Sequence, residues 1–165
     1  MTIFVIIFSV LNISERQSDF MQLTRGAEYA IRAVLDLTAN HTGQKSGKVQ
    51  LKDIASRMDI PDDFLAKIFQ MLNRSGIIKS YRGTKGGYAL AREPKDINIK
   101  DVIYAVDGPI RLNKCLAAEG CVEESSCKYQ QKCAIHDIWN EAQSSMLKIL
   151  SGADFHSLNQ KMQNR

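Results

Sequence analysis

LKDIASRMDIPDDFLAKIFQMLNRSGIIKSYRGTKGGYAL, residues 51–90, is the stretch on which the fold turns. Leu51, Ile54, Ala55 and Met58 fall on one face of a short helix, and Pro61 breaks it. Asp62 then stands where a cap belongs. Phe64, Leu65, Ile68, Phe69, Met71 and Leu72 give a second apolar stripe, and Gly76 sits where a helix ends. After Gly76 the period drops to two: IIKSYRG and YALARE read as short β-strands around the glycine-rich turn TKGG. A short helix, a tight break, a longer helix and an immediate hairpin form the layout of a winged helix-turn-helix.

That layout has a physical purpose. A helix about 10–12 Å across fits the major groove of B-DNA, and the helix before it braces it against the backbone. The groove helix would be residues 62–75, presenting Asp62, Asp63, Phe64, Ala66 and Lys67. The hairpin carries Lys79, Arg82, Lys85 and Arg92. Arg82, just before the turn, is placed as a minor-groove probe, with Lys79 and Lys85 on phosphates. Two acids at the start of a reading helix face phosphate unfavourably, although a carboxylate can accept from cytosine amino groups. RGTKGG lacks the spacing of a nucleotide-binding loop and does not open a helix.

Outward from this core, TRGAEYAIRAVLDLTAN (24–40) places Ala27, Ala30, Ile31, Val34, Leu35 and Thr38 at helical spacing, with Thr24 as N-cap. HTGQKSGK (41–48) reads as a polar loop. INIKDVIYAVDG (97–108) is helical through Ile99, Val102, Ile103 and Val106. The longest amphipathic run, 134–150, carries Ile135, Ile138, Trp139, Ala142, Met146 and Ile149 on one stripe, and the polar tail beyond Gly152 is expected to be flexible. The fold expected is mainly α with a small β-hairpin wing.

Composition is that of an ordinary globular protein, 44% apolar and 24% charged. Charge is unevenly spread: residues 41–100 carry 12 basic and 6 acidic side chains, a positive excess expected of a nucleic-acid-binding face. The opening MTIFVIIFSV is shorter than the roughly 20 residues a membrane span needs. It also lacks a basic lead and a small-residue cleavage site. Residues 1–20 are therefore read as an extension upstream of a native start at Met21, with no membrane partner and a cytoplasmic location.

All four cysteines, Cys115, Cys121, Cys127 and Cys133, stand six residues apart. Steps of about 100° per residue prevent that interval from lining one helix face, and zinc ribbons pair cysteines more closely. Five-residue polar spacers let a chain wrap an iron–sulfur cluster, ligated by thiolates and sometimes by imidazole. Zinc bound by three cysteines and a histidine, a reversible thiol switch and a catalytic couple of Cys133 with His136 are the competing readings. Disulfides are disfavoured in a reducing compartment. On spacing alone Cys115, Cys121 and Cys127 serve as well as any three.

LTRGAEYAIRAVLDLT (23–38), LKDIA (51–55), the run from Leu65 to Pro94 and INIKDVIYAVDGP (97–109) resemble, in order, the winged-helix bacterial repressors typified by the iron–sulfur-cluster regulator and the nitric-oxide-sensitive repressor. The segment from Ser80 to Leu90, S-x-R-G-x-x-G-G-Y-x-L, is the most specific part. The resemblance covers roughly 21–150. It implies a DNA-binding regulator, most simply a repressor and not an enzyme, acting as a homodimer on a palindromic operator. Its cofactor would be a 2Fe–2S or 4Fe–4S cluster, with zinc the lesser choice. The register it implies selects Cys121, Cys127 and Cys133, with Cys115, His136 or Glu28 as further ligand. It makes the long helix the dimerisation element and puts Ala66 at a position where the iron–sulfur regulator reads bases with glutamate, so the operator should differ. The expected organisation is 21–110 for DNA, 111–133 for the cluster loop, 134–152 for dimerisation and 153–165 as tail. A clusterless or zinc-bound thiol switch is the alternative within DNA binding, and a small thiol redox enzyme the alternative outside it.

Overall fold

The computed structural model describes residues 23–42, 45–83, 86–113, 115–116 and 132–164. The extension 1–20, Lys85, Cys121 and Cys127 lie outside the described residues. The central element is α1 (Arg25–Ala39). Thr24 caps it, accepting from the Ala27 N–H at 3.1 Å and donating to the Asp107 carboxylate at 2.7 Å. Ala27, Ala30, Ala33, Val34 and Leu37 are fully buried, and the small alanines let other helices approach on several sides.

The polar stretch 41–48, expected as a loop, contains a two-residue antiparallel ladder, β1 (His41–Thr42) with β2 (Lys45–Ser46). Helix α2 (Leu51–Met58) ends at Asp59, in left-handed backbone at φ 54°, and Ile60 turns inward into the core. Helix α3 (Asp62–Arg74) starts at its expected cap, one residue earlier than the sequence places its first turn. Pro61 is the cap: its carbonyl accepts from the Leu65 N–H at 2.9 Å, and its fixed φ suits that position. Asp62 thereby enters the first turn, where a carboxylate favours the positive end of the helix. Asp36 of α1, 5% exposed, takes a bidentate pair from Arg57 of α2 at 2.8 and 2.7 Å. The hydrogen bond to Asp36 holds the Arg57 guanidinium above its ordinary pKa. That pair fixes α2 against α1, and so fixes α3.

Leu65, Ile68, Phe69 and Leu72 of α3 pack with Ile54, Ile77, Ile78 and Leu90 into one core. Gly76 closes α3 at φ 67°, as the sequence places it. The wing follows: β3 (Ile78–Tyr81) pairs antiparallel with β4 (Gly87–Leu90), Tyr81 facing Gly87. A third extended piece joins it, since Val49 and Tyr88 exchange backbone hydrogen bonds at 2.9 and 2.8 Å.

A 3-10 turn at Pro94–Asp96 leads to α4 (Ile99–Asp107), capped by Asn98 and packed on α1. Helix α5 (His136–Gly152) packs on α4 through buried Gln143 and Leu147. The tail, expected to be flexible, is helical. It forms α6 (Phe155–Gln163), which packs on α1 with Phe155 fully buried. Two backbone hydrogen bonds clip its start to the start of α4: Phe155 N–H to Ile97 at 3.0 Å, and Ile99 N–H to Ala153 at 3.1 Å. Among the described residues no helix is long and apolar enough to cross a membrane.

Candidate nucleic-acid interface and thiol site

The start of α3 is exposed at Asp62, Asp63, Phe64 and Lys67, while Ala66 is half-buried. Phe64, 42% exposed, is steadied from behind. Its ring meets Tyr29 of α1 edge-on at 5.6 Å and 85°, and the Arg32 guanidinium lies over Tyr29 at 5.7 Å. A large apolar ring held outward at the tip of this helix is suited to contact with a thymine methyl.

On the wing, Lys79 and Arg82 are exposed. Arg92 is turned away from that role: it reaches the Asp101 carboxylate on α4 at 3.4 Å. Lys48, in the polar stretch, carries no sequence motif. Only the pairing of Val49 with Tyr88 brings it to the wing, where its Nζ lies 4.5 Å from the Tyr81 ring centre.

The cysteine segment is described at its two ends only. Cys115 and Cys133 are free thiols and partly accessible. Cys133 precedes α5, and its carbonyl accepts from the His136 N–H at 3.1 Å. His136 Nδ1 stands 3.4 Å from an Asp137 carboxylate oxygen. One turn on, the Trp139 indole N–H is buried and has no hydrogen-bond partner among the described residues. At the other end of the segment, the Leu112 N–H donates to the buried Gln143 Oε1 of α5 at 3.0 Å, so the approach to Cys115 is tied to α5. Glu28, in the first turn of α1, pairs with Arg32. Among the described residues no three His, Cys, Asp or Glu side chains converge as a metal site.

Cys133 and His136, at the start of α5, are donor types that an iron–sulfur cluster accepts. A ligating histidine commonly directs its second ring nitrogen to a carboxylate, as His136 does toward Asp137. A buried indole N–H calls for an acceptor, and none of the described residues provides one.

The expected dimerisation stripe divides. Ile135, Ile138 and Ile149 are 54%, 64% and 71% exposed, and Ala142 is exposed as well. Trp139 and Met146 turn partly inward.

A family model described as Rrf2, iron-dependent transcriptional regulator, matches residues 23–161. The helix-turn-helix-type transcriptional regulator IscR of Aliivibrio salmonicida is 33% identical over 138 residues, 84% of this chain and 77% of that protein. The structure of IscR from T. potens matches with a TM-score of 0.63 at 26% identity, covering 87% of this chain and 89% of the other. That of CymR, the global cysteine regulator of B. subtilis, matches in fold with a TM-score of 0.68 at 24% identity, covering 86% and 98%.

Proposed function

The chain belongs to the Rrf2 family of transcriptional regulators, and from that premise we propose that it is a cytoplasmic, homodimeric repressor reading a palindromic operator, its affinity set by a cysteine-ligated iron–sulfur cluster that reports redox, nitric oxide or cluster status. The observation that carries the DNA half of this reading is Phe64, held outward at the tip of α3 beside the basic wing. Asp63, Phe64, Ala66 and Lys67 face bases, Arg82 enters the minor groove, and Lys79 and Lys85 lie on phosphates.

The cluster half is supported by what surrounds Cys133. Cys121, Cys127 and Cys133 hold the cluster, and we favour His136 over Glu28 and Cys115 as the further ligand. His136 already has a carboxylate behind its ring, whereas Glu28 is engaged by Arg32. When bound, the cluster supplies a redox- and nitric-oxide-reactive centre. The chain does the rest. Trp139 donates into the site, Gln143 holds the segment leading to Cys115, and the start of α5 is fixed through Cys133.

Helix α5 also presents the stripe of Ile135, Ile138, Ala142 and Ile149 to a second copy, next to a groove of about 380 Å³ lined by Leu23, Ile103, Ile110, Met146 and Leu150. A change at the base of α5 therefore shifts the spacing of two reading heads that must match half-sites about one or two DNA turns apart. Coupling of this kind is worth about 1–3 kcal/mol, or about 5–150-fold in affinity.

The test is anaerobic purification of the full chain, a visible spectrum, assays for iron, sulfide and zinc, and selection of a duplex from a random pool. Matched iron and sulfide in a coloured protein, with operator affinity changing on exposure to nitric oxide, is the expected result. A colourless protein that binds DNA, with zinc or with no metal after reconstitution, would remove the cluster. The second reading would then stand: a thiol switch, for which the partly accessible free thiols Cys115 and Cys133 are suited.

A further inference from the structure

Two ammonium groups converge on one ring at the edge of the wing. Lys48 Nζ lies 4.5 Å from the centre of the Tyr81 ring, and Lys79 Nζ lies 5.8 Å from it. Lys79 is two residues before Tyr81 on β3, hence on the same side of the strand. Lys48 arrives from a different part of the chain, the extended piece ahead of α2 that bridges to Tyr88. Tyr81 pairs with Gly87, and a Cβ on Gly87 would sit 2.7 Å from the Val49 carbonyl oxygen. Glycine at that one place is what lets the Lys48 segment lie against the hairpin.

Both lysines are exposed, and neither has a carboxylate partner among the described residues. The ring face attracts each ammonium, but the two still repel one another. An anion between them would relieve that repulsion. The reading helix gives a reason why this chain needs one there. Asp62 and Asp63 occupy the first turn of α3, the end of a helix that would otherwise attract phosphate, so backbone anchoring has to come from elsewhere.

We propose that Lys48, Lys79 and Tyr81 form a seat for a single phosphate of the DNA backbone, built jointly by the wing and the segment ahead of α2. The seat rests on the DNA-binding reading. It adds to that reading an anchor shared by two separate parts of the chain, with Tyr81 holding both cations over one anion.

The experiment measures binding of the full-length protein to a duplex it selects from a random pool, as a function of salt, after circular dichroism has shown each variant folded. Neutralising one phosphate accounts for a slope of about 0.9 in log K against log salt. The double variant K48Q/K79Q is expected to lower the slope by about 0.9, weakening selected and unrelated duplexes alike. Y81L is expected to weaken binding while Y81F does not, and K48Q/Y81L should lose no more than the larger single loss. An unchanged slope, a fall of about 1.8 (two independent phosphates), or additive losses at Lys48 and Tyr81 would each overturn the shared seat. A wild-type protein that selects no duplex would instead bring down the DNA-binding reading itself, and the seat with it.

Discussion

Trp139 is the only tryptophan in the chain, and its buried N–H lies six residues beyond Cys133 on the inner side of α5. On the proposed reading, its emission should report what the thiols hold. Anaerobic cluster reconstitution should quench it strongly by energy transfer to the coloured centre, whereas zinc, which absorbs no visible light, should leave it bright. In the same preparation His136→Ala should lower the iron bound per chain, while Glu28→Ala leaves it unchanged; the reverse pattern would hand the ligand role to Glu28. Phe64 makes a different kind of prediction. On the proposed reading its ring contacts a base, so Phe64→Ala should cost about 1–3 kcal/mol on the selected operator and relax preference at one base position. A uniform loss on all duplexes would show that Phe64 does not read sequence.

At the scale of elements, α6 shows how few residues are enough to fix a segment. Its own pattern is weak, and its place depends on Phe155, the clip to α4 and one cap. Phe155→Ala should cost about 3–5 kcal/mol in urea unfolding. Asp154 caps the helix, and its hydrogen bonds from Ser157, the backbone N–H first at 2.8 Å and the hydroxyl at 2.7 Å, hold its carboxyl below the usual range. The folded state thus favours the ionised form. Its contribution is complete above the ordinary Asp value and disappears as the pH falls through the lower folded one. Asp154→Ala should therefore cost about 1 kcal/mol at neutral pH. The gap to wild type should close as the pH drops below about 3.9; a gap that persists in acid would mean the cap works without its charge. The wing has a comparable logic: β3 and β4 were legible from alternation and glycines, but the third piece at Val49 has no such pattern.

For the whole molecule, the exposed stripe of α5 is proposed to pair two reading heads. Ile138, 64% exposed at the middle of that stripe, is the sharpest probe. Ile138→Glu should give a folded monomer in sedimentation velocity at micromolar concentration. It should also lose the preference for a palindrome over a single half-site, since the second contact is then no longer intramolecular. A dimer that survives this change would place the seam elsewhere. Helix α1 touches α2, α3, α4 and α6. The Asp36–Arg57 pair on α1 ties the reading unit to the rest.

The sequence by itself determined the local elements. Helical spacing marked α1 to α5, Thr24 and Gly76 marked a start and a stop, and alternation around TKGG marked the wing, because caps, turns and one-sided burial act over a few neighbouring residues. It also put forward Phe64, Arg82 and Cys133 as candidate site residues, since their neighbours along the chain indicate where they lie. What only the tertiary structure decided depends on residues distant in the chain. Arg92 turns to Asp101, and α6 is held by Phe155. Lys48 reaches Tyr81 only across the Val49–Tyr88 bridge. Each of these outcomes follows from a contact made once the chain is packed, and short-range pattern carries no record of a partner that lies many residues away.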